Sequence, residues 1–558
     1  MNYIKKTVSL SFLSLSLLST NPICCDEFDD LDNIENFDVF LESDLVNDYL
    51  ETNEFVVLKS FSPSQIMGVL EALEFRKLLQ EDFYLRTNRL NNRSILDLPL
   101  GSMDKDYEYN RFINAWELFY NMTDRSYFTW SCDAISSYLA LQANDFMEKL
   151  REASEKVEKL REAKFDFDPA DAFALFKNAT IQERRLGILL YGRASIKRWR
   201  FSWKLPIYYL ERNIWLTEEE QEKIEEVLGQ TTEEAQEQFE CEHAISDKFG
   251  IGDTRVGFDF PISEDSCSCT RLGFHLTVPT AWAPAKGLSG SHFKPFYRSA
   301  NANLKDITGY HLEEILNLAL ESKDEPEKLV EATQILTDLG YDILDHLSAN
   351  IMEMPLGNGG HLGIGGGFSF YSLLSRFVPR PWAERIDIRG FLSLEYLLPA
   401  METRFFGEVN DSRIFDDERF KDESRAQENL IFLEEQLVAK LFPFATEVKV
   451  HPGVIFRYSS RWCHERENWG IQLGSDYWIR SREGFSDIVI NDKNLNDRLK
   501  IECARRPRAF QAKILGSLFW KRRKNNKNWI ISLTGETTTW NKGIGGDFTV
   551  SLDFEIDF

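Results

Sequence analysis

Phe548-Thr549-Val550-Ser551-Leu552-Asp553-Phe554-Glu555-Ile556-Asp557-Phe558 closes the chain, and its reading decides the fold. Side chains of a strand point alternately to its two faces. One face here is Phe548, Val550, Leu552, Phe554, Ile556 and Phe558, wholly apolar. The other is Thr549, Ser551, Asp553, Glu555 and Asp557, wholly polar or acidic. Such a strand needs hydrocarbon on one side and water on the other.

Similar period-2 segments recur upstream. Trp199, Phe201, Trp203, Leu205, Ile207 and Tyr209 alternate with Arg198, Arg200, Ser202 and Lys204. Others begin near Leu186, Val256, Leu272, Leu362, Ile386, Val448, Trp469, Phe510 and Trp529, with a weaker one over Asn110–Asn121. With the closing strand this predicts about twelve strands, the length a tilted membrane strand needs. Counting back from the last strand, the connections at 521–527, 459–467, 372–381, 263–270 and near Lys197 fall at one end and are short. Those at 122–183, 210–253, 280–360, 399–446 and 480–507 fall at the other and are long, with a shorter final member near Glu536–Gly546. The spacing predicts helices at Asn144–Ala163, Glu218–Phe239, Leu312–Met352 and Arg419–Leu441 in these long connections. Trp199, Trp382, Trp469, Trp520, Trp529 and Phe558 all fall at the short-turn end, as an interfacial aromatic girdle would.

The start of the chain agrees with export. Lys5 and Lys6 precede an apolar stretch from Val8 to Leu18, the layout of a secretory signal peptide over residues 1–25. Residues 26–106 form an acidic N-terminal segment, a candidate plug or periplasmic extension. Asp26–Glu54 holds twelve acidic residues and no Lys or Arg. Residues 107–558 are read as the barrel with helical insertions. The formal net charge of −25 argues against nucleic acid and anionic lipid as main partners. Beyond the leader stand Cys132, Cys241, Cys267, Cys269, Cys463 and Cys503, read as isolated thiols or long-range disulfides. No metal-ligand spacing and no cofactor motif is present.

The chain resembles Gram-negative outer-membrane β-barrel proteins at its signal peptide, strand pattern and C-terminal strand. The resemblance implies an all-β transmembrane barrel of about twelve antiparallel strands with long helical extracellular connections, in the cell outer membrane. It also implies outer-membrane lipid as surroundings, and assembly machinery that reads Phe548, Val550, Leu552, Phe554, Ile556 and Phe558. Nothing in the sequence marks an oligomer interface.

The alternation places Arg193, Arg198, Arg200, Lys204, Arg255, Arg271, His275, Arg385, Arg389, Lys449, Arg457 and Lys513 on the lumen side. Asp259, Asp387, Glu395, Glu447, Asp476, Asp553, Glu555 and Asp557 oppose them. Charged walls tune ion selection in pores, and charges on neighbouring strands also pair with each other. A twelve-strand lumen is narrow enough for side chains or one peptide segment to fill. The leading expectation is a channel for small solutes, gated by loops or the N-terminal segment, with Asp26–Glu54 entering the lumen. The alternatives are a non-conducting barrel-anchored surface protein whose helical cap binds a partner, and an outer-membrane hydrolase. The chain lacks the common hydrolase motifs, so no enzyme is expected. Gly357–Gly367 (GNGGHLGIGGG) reads as small residues on a crowded strand face rather than a nucleotide loop.

Overall fold

The computed structural model describes residues 92–100, 112–124, 180–215, 245–265, 267–283, 304–309, 328, 335, 356–409, 411–442, 444–489, 497–524 and 527–557. Its strands are β1 (Phe112–Asp124), β2 (Thr180–Ile196), β3 (Trp199–Trp215), β4 (Ile245–Ile251), β5 (Thr254–Glu264), β6 (Ser268–Val278), β7 (Gly363–Leu373) and β8 (Ile386–Leu397). They continue with β9 (Ala400–Phe406), β10 (Phe444–His451), β11 (Gly453–Glu465), β12 (Trp469–Arg480), β13 (Gly484–Ser486), β14 (Ala509–Lys524), β15 (Lys527–Lys542) and β16 (Gly546–Asp557).

One sheet runs β2-β1-β16-β15-β14-β12-β11-β8-β7-β6-β5-β3, and a further β2–β3 pairing closes it. β4 and β5 both pair with β3, above and below the break at Gly252-Asp253, and act as one interrupted strand. The result is a closed barrel of twelve antiparallel strands, each beside its sequence neighbour. β16 closes on β1 through twelve partners, from Ile113↔Asp557 to Asp124↔Gly546. A closed barrel leaves no unpaired edge, which hydrocarbon requires.

The short and long connections alternate as the sequence predicts. Residues 197–198, 265–267, 374–385, 466–468 and 525–526 join strands at one end; the long connections leave the other, together with the short final turn 543–545 between β15 and β16.

Burial is inverted relative to a water-soluble sandwich. On β16, Asp553 and Glu555 are 1 % exposed, whereas Phe548 on the opposite face is 42 % exposed. On neighbouring β15, Ser532 is fully buried and Leu533 is 45 % exposed. Trp116, Leu118, Ile188, Phe258, Phe274, Ile364, Phe368, Leu394, Leu473 and Ile514 all point outward. Water leaves so much apolar surface exposed only at high cost, about 25 cal/mol per Å²; a lipid surround removes that cost. At the short-turn end Trp199, Trp520 and Trp529 stand exposed on strands, and Trp382 stands exposed in the turn before β8.

Several expectations are corrected. Long helical connections are not supported: among the described residues one helix exceeds five residues, Ala426–Leu441. The predicted helices Asn144–Ala163 and Glu218–Phe239, and nearly all of Leu312–Met352, lie outside the described residues, as do residues 1–91 and Phe558. In the 398–452 connection the helix is accompanied by strands. β9, β10 and β13 form a separate three-stranded sheet, with Phe406, Phe444, Val448, Val450, Leu499 and Ala504 packed together.

The apparent single strand from Val448 to Tyr458 is therefore two. It breaks at Pro452-Gly453, where Pro452 has no N–H to donate and Gly453 takes φ +84°, a region natural to glycine. Lys449 and Glu447 belong to this small sheet, and Lys449 pairs with Asp487 at 3.4 Å, away from the barrel wall. Arg198 lies exposed in the β2–β3 turn and Arg385 lies exposed in the turn before β8. Alternation carried one residue past a strand end misplaces both.

Candidate functional site

The barrel interior contains a piece of the chain itself. Asn92–Leu100 crosses it, held by inward-facing side chains. Locally the segment is fixed by Ser94, whose Oγ accepts from the Leu96 amide at 3.3 Å and so caps a short 3₁₀ turn, Ile95–Asp97. Ile95, Leu96 and Leu98 are buried against Phe119, Leu189, Tyr208, Leu210 and Leu356. We refer to this segment as the strap.

The polar contacts of the strap come from around the wall. Arg185 of β2 donates to the Arg93 carbonyl at 2.6 Å. Arg255 of β5 donates to the Leu96 carbonyl at 3.1 Å and pairs with Asp97 at 2.9 Å. Arg461 of β11 donates to the Pro99 carbonyl at 2.7 Å. Trp478 of β12 donates its indole N–H to Asp97 at 3.2 Å. Arg93 pairs with Asp476 of β12, donates to Gln511 of β14 at 3.3 Å, and lies over the Trp478 ring at 5.8 Å.

Each charged wall group that grips the strap has a second partner in the wall. Asp476 also takes Arg457 at 3.0 Å. Arg255 also pairs with Glu395 at 2.7 Å. Arg185 also pairs with Glu183 at 2.5 Å, and Arg461 donates to Gln472 at 3.2 Å. A buried charge left alone costs several kcal/mol; Asp476, Arg255 and Arg185 would keep an opposite charge without the strap, and Arg461 would keep its hydrogen bond to the Gln472 amide.

Other inward charges pair only along the wall in the contacts described. Asp259 takes Arg200 at 2.6 Å and also Arg271. Asp387 takes two bonds from Arg389, at 2.6 and 3.1 Å. Lys513 bridges Glu536 at 2.9 Å and Asp547 at 2.5 Å. Tyr191 donates to Glu555 at 2.8 Å, Ser532 to Asp553 at 3.4 Å and Asn528 to Asp557 at 3.1 Å. Arg193 and Lys204 lie half-buried on β2 and β3. His275 lies 3.7 Å from Glu395 and directly over Gly365, whose added Cβ would fall 2.2 Å from its Nε2. That crowding accounts for the glycine.

Beside the strap lies a cavity of about 80 Å³ that the strap residues Asn92–Ile95 and Asp97 help to line. Arg93, Arg185, Arg212, Arg480 and Arg506 line it with Asp97, Glu183 and Glu483, and Tyr208, Leu356, Ile455 and Trp478 supply apolar wall. At its upper edge Glu483 is buried, which alone would raise its carboxyl pKa. The guanidiniums of Arg404 and Arg506 outweigh burial and hold it below the usual carboxylate value. Burial brings Arg506 down to about 9, against the attraction of Glu483.

Two arrangements could suggest chemistry. Asp387, Cys463 and Glu465 place ligand atoms within 4.8 Å of one another, but a cation already serves them. Arg389 donates to Asp387 and, at 3.3 Å, to Cys463, and lies 3.7 Å from Glu465. His451 Nε2 lies 2.8 Å from Ser486 Oγ. The adjacent Asp487 accepts from Ser486 at 3.5 Å, so the carboxylate stands on the serine side and not behind the imidazole, where a catalytic triad needs it.

The sequence reading missed Arg93, Asp97, Arg461, Trp478, Gln511, Glu536 and Asp547. Strand parity carries the signal for the wall members. The strap carries none, because so short a segment has no period. Asp26–Glu54, expected in the lumen, lies outside the described residues.

The chain matches no protein-family model and no curated protein. Solved structures with a similar course include an outer membrane channel from Pseudomonas putida F1, 6% identical, covering 82% of this chain and 100% of that one at TM-score 0.37. Its architecture is that of the outer-membrane β-barrels, on the closed twelve-strand sheet and its inverted burial. The Pseudomonas putida toluene transporter TodX is 7% identical, over 90% of this chain and 99% of that one, at TM-score 0.27. The NanC porin is 5% identical, over 68% and 93%, at TM-score 0.22.

Proposed function

We propose that this protein is an outer-membrane channel for small solutes whose lumen is closed by the strap Asn92–Leu100. The observation that carries the reading is the double partnering of the wall. Asp476, Arg255, Arg185 and Arg461 each grip the strap and each keep a wall partner. The strap can therefore leave with Asp476, Arg255 and Arg185 still ion-paired in the wall and Arg461 still hydrogen-bonded to Gln472. What holds it is chiefly the burial of Ile95, Leu96 and Leu98, each worth about 1.5–3 kcal/mol, plus its own charges Arg93 and Asp97. That is a scale a ligand or a conformational change can overcome. Arginines predominate around the cavity beside the strap, which favours anionic solutes there.

The reading is tested by single-channel conductance in planar bilayers, comparing wild type with Arg93→Ala/Asp97→Ala. The double variant is expected to open longer and to a larger unitary conductance. Heat-modifiable migration on a gel serves as the control that the barrel is folded. If the folded variant conducts no more than wild type, the strap is no gate and the barrel acts as an anchor for its long connections.

A further inference from the structure

We propose that the short-turn end of the barrel is a docking surface for anionic phospholipid headgroups in the leaflet beside it. The β14–β15 hairpin carries the argument. Trp520 on β14 faces outward and is exposed, and residues two apart share a face. Arg522 and Lys524 therefore continue the lipid-facing side below Trp520, and both are exposed. On β15, Trp529 faces outward and Lys527 precedes it by two residues on the same face, also exposed. Arg522 stands opposite Trp529 in the strand register, and Lys524 opposite Lys527. Moving toward this end, the outer surface passes from aliphatic residues to tryptophan to cations. A leaflet presents hydrocarbon, interface and phosphate in the same order.

Two other turns at this end also place an exposed cation close before an exposed tryptophan. Exposed Lys197 precedes exposed Trp199 by two residues, and exposed Arg380 precedes exposed Trp382 by two. The cations sit in a chain of net charge −25, so general composition does not supply them. The connection 216–244 at the opposite end carries eleven acidic residues and the single cation Lys223. The acidic segment Asp26–Glu54 is a competing occupant by charge. By strand parity Arg522, Lys524 and Lys527 share the outer face with Trp520 and Trp529, and this favours lipid.

The test uses the full-length protein in vesicles of phosphatidylcholine with a fixed minor share of phosphatidylglycerol, one lipid or the other brominated. Quenching of tryptophan fluorescence reports which headgroup surrounds the barrel. Brominated phosphatidylglycerol is expected to quench roughly threefold more per mole than brominated phosphatidylcholine at low salt, since each surface cation attracts anionic lipid. The excess should fall at high ionic strength. It should also vanish in Arg522→Gln/Lys524→Gln/Lys527→Gln, while quenching by phosphatidylcholine and heat-modifiable migration stay unchanged. Equal quenching by the two lipids in wild type, or an excess that survives in the triple variant, overturns the proposal. So does an excess that appears only after deletion of residues 26–54, which would make that segment the occupant.

Discussion

Two ion-pair systems share this lumen and are built differently. Around Asp476 and Arg255, each wall charge divides its bonds between the wall and the strap. Around Asp387, Arg389 and Glu465 near the short turns, the described bonds run from wall to wall. Both systems satisfy charges taken out of water, and a buried pair is weak evidence for net stability in either case. The difference lies in what each tolerates. The first can lose a partner from the strap and stay compensated. The second turns on Arg389: its removal takes both guanidinium bonds described at buried Asp387, while Glu465 keeps Lys521 at 2.8 Å.

The sharpest break of that comparison is Asp476→Ala. Asp476 is fully buried and serves both Arg93 and Arg457, so its removal strands one guanidinium in the strap and one in the wall. A loss at or above the usual ~3–5 kcal/mol for breaking a buried pair is expected, read as a lower urea midpoint in bilayers. Channel openings should lengthen with it. A variant as stable as wild type would show that the inward charges contribute little.

Next comes Arg389→Met, which tests the wall system alone. It leaves Asp387 buried without its two guanidinium bonds, and a loss of about 3 kcal/mol is expected. Conductance should change less than in Asp476→Ala, because the described bonds of Arg389 run to Asp387, Cys463 and Glu465. An Arg389→Met protein that is destabilised and also conducts as much as Asp476→Ala would erase the distinction between the two systems.

The outward half of this molecule was legible in the sequence for a simple reason. Lipid-facing positions such as Trp520, Leu533 and Phe548 repeat every second residue, and β-geometry imposes that period over whole strands. The same period found inward charges such as Arg255, Arg457 and Asp476, but alternation says only which face a residue takes. It cannot say where a strand stops, and so it carried Lys449 into the wall across Pro452-Gly453 and kept Arg198 and Arg385 in strands. The strap was not legible at all. Ile95, Leu96 and Leu98 form no periodic pattern, and their burial depends on a cavity that β2, β5, β11, β12 and β14 build from sequence far away.

The smallest expected effect lies at the cavity's upper edge and sharpens the comparison by adding a pH arm. Glu483 is held below its ordinary value, about 4.5, by Arg404 and Arg506 despite its burial. A carboxyl whose folded pKa is depressed contributes stability that is fully present above its unfolded value and is lost as pH falls through the folded one. Acidification from pH 7 should therefore leave the β9–β10–β13 sheet unaffected until about 4.5 and loosen it below. Arg404 and Arg506 are then left facing each other near a neutral Glu483, and mutual repulsion adds to the lost pairing. Hydrogen exchange of the β9 and β10 amides, corrected for intrinsic rates, is the measurement. Exchange should rise below that pH in wild type. Glu483→Gln should exchange faster already at pH 7 and show little further acid response from this site. Strap-dependent conductance should be spared in the same window, because Glu483 grips Arg404 and Arg506 rather than Asn92–Leu100. If acid opened the channel in wild type but not in Glu483→Gln, the upper edge would belong to the gate, and the strap would be coupled to the small sheet above it.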